Sequence, residues 1–75
     1  MRLAELRERA GLTQTDVAVR MGTAQPNISR LERLPVEDIS QRQLRRYLQA
    51  LDSQLLLVAF DSTGQQIPLT THQRS

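Results

Sequence analysis

Along the first fifty residues apolar side chains recur at intervals of three and four, the period of a helix with one buried stripe. Leu3, Leu6 and Ala10 make the first stripe, and Gly11, free to take a left-handed backbone, is placed to end it. Thr13, with Asp16 three residues on and Leu12 and Val17 flanking it, carries the start signal of a second helix. The stripe of that helix is Val17, Ala18 and Met21, and Gly22 stops it. A third helix is predicted from Ala24 or Gln25, because Pro26 is tolerated only in a first turn, where its missing N–H has no bond to lose. Ile28 and Leu31 form its buried face, and Pro35 closes it. Val36 to Ile39 leads to Ser40, where Gln43 and an Ile39/Leu44 staple announce a helix running to about Leu51, with Leu44, Tyr47, Leu48 and Leu51 inward.

Beyond Asp52 and Ser53 the period changes. Leu55 to Phe60 is an unbroken apolar run, too short for a helix core, and reads as a strand. Asp61-Ser62-Thr63-Gly64 reads as a turn and Gln65 to Leu69 as a shorter second strand, which Pro68 marks as an edge. The polar stretch from Thr70 reads as a flexible tail. The chain thus divides into a helical domain over residues 1–53, a C-terminal β-hairpin over 54–69 and a tail over 70–75. Because the first strand does not alternate, both its faces need cover. It either packs deeply under its own helices or meets the same strand of a second subunit. The second is preferred, given how little core 75 residues build alone.

Composition sharpens that preference. There are no cysteines, so neither a disulfide nor a thiolate metal site can staple the fold, and oligomerisation remains. Aromatics are only 3% of the chain, so the core is built from Leu, Val, Ile and Ala. No stretch approaches the ~20 apolar residues of a membrane span, and no signal-peptide pattern opens the chain, so a soluble, cytoplasmic protein with no membrane partner is expected. All ten basic residues are Arg, which sets the isoelectric point near 10.4 although the net charge is only +2. Arg offers a planar fork to phosphates and guanine edges. That balance permits nucleic-acid binding without requiring it. The single histidine, His72, stands in the polar tail, no glycine-rich phosphate loop exists and the carboxylates do not cluster, so no enzyme, no cofactor and no metal site is expected.

Two helices joined by a turn at Gly22, with small Ala18 where they approach, give helix-turn-helix geometry. The row Gly11-Leu12-Thr13-Gln14, Val17-Ala18, Gly22, Gln25-Pro26, Ile28-Ser29 and Glu32 resembles the XRE/Cro-type helix-turn-helix family over about residues 2–51. The resemblance implies a mainly α, lambda-repressor-like bundle of four to five helices with a C-terminal β-strand or hairpin. Leu44 to Leu51 followed by Leu55 to Val58 further resembles the antitoxins that partner HipA-type kinase toxins, where the C-terminal strand dimerises. That implies a dimer contact through Leu55, Leu56, Leu57, Val58, Ala59 and Phe60.

The resemblance also implies which side chains meet DNA. Residues at the start of the third helix reach base edges, while the second helix crosses the backbone. Gln25 offers the donor and acceptor that adenine N6 and N7 require, and Arg30 can fork onto guanine. Ala24 and Pro26 can touch a thymine methyl, and Asn27 and Ser29 phosphate or bases. Gln14 can bind a phosphate beside the free N–H groups of the second helix. Ser40 and Arg42 are weaker phosphate candidates. Arg33, Arg45 and Arg46 read as a solvated face, and Arg7 and Glu32 match positions that pair between the first and third helices. Three departures stand out. Ala24 occupies the cap position where the family has Ser or Thr. Leu34 before Pro35 replaces the usual glycine. The chain begins almost at its first helix, so no arm into the minor groove is expected.

The implied function is a dimeric, sequence-specific repressor, an antitoxin that neutralises a toxin and autoregulates its operon through an inverted-repeat operator. The half-sites would lie about one helical turn, ~34 Å, apart. A phage or plasmid repressor without a toxin, or a toxin-binding module without specific DNA binding, are the alternatives.

Overall fold

A computed structural model describes residues 2–69, so the tail from Thr70, including His72, lies outside the described residues. Four helices, α1 (Leu3–Arg9), α2 (Gln14–Met21), α3 (Gln25–Arg33) and α4 (Gln41–Ala50), are followed by strands β1 (Leu57–Phe60) and β2 (Gln66–Leu69). A single 3-10 turn, Val36–Asp38, stands between α3 and α4.

Each helix boundary has a local cause. Thr13 Oγ1 accepts the Asp16 N–H at 3.0 Å while the Asp16 carboxylate accepts the Thr13 N–H at 2.9 Å, so two orphan donors of α2 are satisfied reciprocally. Those bonds, led by the one from the Thr13 backbone, hold the Asp16 carboxyl below its usual pKa. At the other end Gly22 takes φ +70°, which lets its N–H reach Val19 O and the Thr23 N–H reach Ala18 O. Ala24 caps α3 without a side-chain bond, as its methyl requires. That helix stops at Leu34, whose extended backbone is the one that the following Pro35 allows. Ser40 Oγ accepts the Gln43 N–H at 3.1 Å and starts α4. α4 ends in a paired closure, Asp52 N–H to Gln49 O and Ser53 N–H to Leu48 O, with Asp52 held at φ +56°.

The apolar stripes converge. Val17, Ile28 and Tyr47 are the largest side chains buried completely, and Leu3, Ala18, Leu31, Ile39, Leu48, Ala50 and Leu51 close around them. Ala18 is small where α2 and α3 cross. Two members of the predicted stripes differ. Ala10 lies beyond the end of α1 and is exposed, because the turn into Gly11 closes one residue early. Leu51 is buried but follows the last helical residue of α4.

Beyond the bundle the hairpin pairs antiparallel, Leu57 with Leu69, Val58 with Pro68, Ala59 with Ile67 and Phe60 with Gln66. Its turn is a type I turn with a bulge: Gly64 N–H to Asp61 O at 2.9 Å, Asp61 N–H to Gln65 O at 3.1 Å and Gly64 at φ +85°. The Asp61 carboxylate accepts from Thr63 Oγ1, Thr63 N–H and Gln65 N–H, bonds that lower its pKa. The first strand is shorter than its apolar run. Leu55 turns back onto the helical core and Leu56 is 67% exposed, so pairing starts only at Leu57, and the second strand starts at Gln66 rather than Gln65. Within the run Leu57, Val58 and Ala59 are half-buried and Phe60 is 69% exposed, so its own helices cover it only in part.

Gly22 offers a clean test. A Cβ added there meets nothing within 4 Å, so only the left-handed backbone opposes it. Gly22→Ala is expected to lower the unfolding free energy by ~1–2 kcal/mol in urea titration, with unchanged m-value.

Candidate nucleic-acid interface

The interface is organised from inside the bundle. Glu32, on α3, is 7% exposed, and its carboxylate is met from three other helices. Arg7 of α1 donates Nε at 2.7 Å and Nη2 at 3.2 Å, Gln14 of α2 donates Nε2 at 2.9 Å, and Tyr47 of α4 approaches through its hydroxyl at 2.5 Å. Tyr47 also lies 3.2 Å from Leu3 O. A phenol has one proton, and the shorter contact to an ionised acceptor takes it. Burial pushes the Glu32 carboxyl up, but the bonds from Arg7, Tyr47 and Gln14 outweigh it and leave its pKa below the usual value. Burial, reinforced by Glu32, raises the Tyr47 phenol. The Arg7–Glu32 pair expected between the first and third helices is therefore present, with side chains 11% and 5% exposed.

That anion fixes two amides in series. A carboxylate only accepts, so Gln14 must turn its NH2 toward Glu32 and its carbonyl away. The Gln14 carbonyl oxygen in turn accepts Nε2 of Gln25 at 2.6 Å. Gln25 is the first residue of α3 and exposed, and among the described residues its carbonyl oxygen and second N–H have no protein partner. Gln14 is thus half-buried and engaged at both ends, not a free phosphate ligand.

Further along α3, Asn27 Nδ2 donates to Thr23 Oγ1 at 2.7 Å and its Oδ1 accepts Nη1 of Arg30 at 3.1 Å. Arg30 is exposed, and among the described residues neither ion pair involves it. Thr23, one residue early for a cap, instead holds Asn27. Ala24 and Pro26 are exposed beside Gln25, whereas Ser29 is half-buried. Thr23, Asn27 and Arg30 face Gln43 and Arg46 of α4 across a cleft of about 260 Å³. Ser40 spends its oxygen on the α4 cap, and Arg42 is exposed in the first turn of that helix.

Two arginines make bonds to the ends of neighbouring helices. Arg46, expected on a solvated face, donates to Met21 O at 3.0 Å, and Arg20 donates to Ala50 O at 2.7 Å. α2 and α4 therefore each cap the other's last turn with a cation, where carbonyls lack partners. Neither bond has a sequence signal, since the partners are 25 and 30 residues apart.

The matching family model is a helix-turn-helix domain, aligned over residues 1–57. The chain belongs to the helix-turn-helix domain family. Its α2–Gly22–α3 unit is that motif, and the family is one of DNA-binding domains rather than enzymes. Antitoxin HigA1 of Mycobacterium tuberculosis, in strains CDC 1551 and H37Rv, is 41% identical over 73 residues, covering 97% of this chain and 48% of that protein. The chain spans about half the length of the curated relatives it matches. A solved structure of DNA-bound antitoxin HigA3 is 33% identical with a TM-score of 0.83, covering all of this chain and 96% of that one. Another, of a HigA antitoxin whose unique dimerization induces DNA bending, is 35% identical with a TM-score of 0.81, covering 93% and 92%. The antitoxin likeness expected from the C-terminal helix and strand thus falls on HigA antitoxins, not on partners of HipA-type kinases. Among the described residues no helix is long and apolar enough to cross a membrane, and no acid, His or Cys group could hold a metal ion.

The sign of the acid response follows from the depressed pKa of Glu32. Its stabilisation is complete above the ordinary carboxylate value of about 4.3 and is lost as pH falls through the lower folded value. Thermal midpoints should therefore drop below about pH 4. Glu32→Gln, which leaves Arg7 without its counter-charge, should cost ~3–5 kcal/mol at neutral pH and flatten that acid limb in melts across pH.

Proposed function

We propose that this helix-turn-helix chain is a sequence-specific DNA-binding repressor of the antitoxin kind, acting as a homodimer on an inverted-repeat operator in the bacterial cytoplasm, on the nucleoid. The observation that carries the reading is the Glu32–Gln14–Gln25 chain. It holds a glutamine amide at the N-terminus of α3, with one acceptor and one donor left for a base edge. Adenine presents the complementary pair, N6–H and N7, in the major groove. Arg30 serves guanine or phosphate, Asn27 sets its fork, and Ala24 and Pro26 lie where a thymine methyl would pack. Ser29 is the weakest of the base candidates because it is half-buried. Ser40, Arg42 and the N-terminal end of α2 at Gln14 follow the phosphate backbone. The relatives named for DNA binding and for dimerization support the reading.

The dimer contact is assigned to the apolar strand Leu56 through Phe60, in which Leu56 and Phe60 are exposed and Leu57, Val58 and Ala59 half-buried. Leu55 leaves that set, since it packs on its own core. The partner toxin is assigned to the HigB kind, in keeping with the HigA relatives, in place of a HipA-type kinase.

Fluorescence anisotropy against DNA from upstream of the gene and a scrambled control tests this. Wild type should prefer the upstream DNA, and Gln25→Ala should lose ~1–3 kcal/mol of that discrimination, the worth of one bidentate base contact. Gln14→Ala should lose part of it while retaining affinity for the scrambled control. Arg30→Ala should lower the salt slope by about one if Arg30 meets phosphate. Equal binding of both DNAs by wild type would refute the repressor reading.

A further inference from the structure

α4 breaks two rules of helix electrostatics. Its first turn has no acid and holds Arg42, although the free N–H groups there favour a negative side chain. Arg45 and Arg46 then follow Arg42 at three and four residues, so like charges are stacked on one face and each pair opposes the helix. Arg42 and Arg46 are exposed and Arg45 is half-buried. Among the described residues none of the three takes part in an ion pair. Arg20 extends the cationic surface at the far end of α4, and the acid beside it, Asp52, is 3.9 Å away and 93% exposed. The carboxylates of Glu5, Asp16 and Asp61 are held by their own caps and turn, and Glu32 is inside the bundle. A helix set against its own electrostatics is expected where a partner supplies the missing charge.

This face is continuous with the recognition helix. Arg46 lines the cleft that Asn27 and Arg30 of α3 also line, and with Arg42 and Arg45 it lines the next depression along α4. The charges are spread along an open face rather than gathered round one point, which suits a polymer of phosphates and not a single small anion. The connection from α4 to β1, residues 51–56, is short, and Leu55 within it is held on the helical core. At ~3.3–3.6 Å per residue it spans at most ~20 Å, so α4 stays on the side of the bundle nearest the dimer strand. From this placement we infer that Arg42, Arg45 and Arg46 form a second DNA contact, which holds the phosphate backbone of the spacer between the two half-sites. The inference rests on the repressor and dimer reading and adds a site to it. Arginines on phosphates read no base directly. They make affinity depend on how readily the spacer deforms to bring both half-sites under the two copies of α3, so spacer sequence is felt without being touched.

Salt titrations of the full chain on the upstream duplex test the site. Arg45→Gln should lower the slope of log affinity against log salt by about one per contact, hence about two per dimer, and Arg45→Lys should keep it. Arg42→Glu, which gives the first turn of α4 its missing acid, should raise the thermal midpoint while weakening DNA binding. A merely structural arginine would not move those two readouts in opposite directions. A duplex with uncharged methylphosphonates in the spacer should lower the wild-type slope, and Arg45→Gln should lose nothing further on it. An unchanged slope in Arg45→Gln together with unchanged affinity in Arg42→Glu overturns the α4 site while leaving the repressor reading intact. So does a loss in Arg45→Gln that persists in full on the methylphosphonate duplex, because its phosphate then lies outside the spacer. A wild type with no preference for the upstream DNA overturns both.

Discussion

A single buried carboxylate sets the terms for this bundle. An ionised acid with 7% exposure survives only if its lone pairs are met, and Glu32 is met by Arg7, Gln14 and Tyr47. Those donors arrive from α1, α2 and α4, so one anion on α3 fixes how all four helices lie together. Removing it strands a guanidinium in the interior, which costs as much as a large core truncation. By contrast Arg20 and Asp52, 3.9 Å apart with Asp52 93% exposed, contribute little, and what Arg20 adds comes from its bond to Ala50 O.

The same carboxylate reaches the surface through chemistry rather than contact. Because it cannot donate, it decides which end of Gln14 faces it, and Gln14 then decides which end of Gln25 faces outward. Preorganisation of this kind lowers the rotamer entropy that a long glutamine would otherwise lose on meeting a base. Stability and recognition are therefore coupled through one residue that lies too deep to touch DNA.

Much of the fold was legible in the chain. Thr13–Asp16, Gly22, Pro26 and Ser40 mark helix ends by local chemistry, and the apolar stripes name the core almost residue by residue. Local signals also mark the hairpin turn, since Asp61 and Gly64 act within five residues. Apart from the Arg7–Glu32 pair, which the family resemblance implied, what escaped were bonds that join distant positions. Tyr47 reads as one more apolar stripe residue, and nothing near it announces that its hydroxyl serves Glu32. Gln14 reads as a surface glutamine because its two partners lie 18 and 11 residues away. The length of β1 was overestimated for a related reason. Apolar character says that Leu55 is buried but not against what, and here the helices claim it.

Sequence separation in the Glu32 cluster bears on the order in which the chain folds as it is synthesised. Arg7 and Glu32 are 25 residues apart, and Tyr47 lies 15 beyond Glu32. At ~5–20 residues per second, α1 to α3 emerge roughly a second or more before the tyrosine that completes the acid's shell. A nascent chain ending before Tyr47 holds a carboxylate that gains by staying hydrated, which favours an open arrangement of the first three helices. The hairpin needs no such wait, because its turn closes on itself in microseconds once made. Emergence of α4 is therefore the event that commits the nascent bundle.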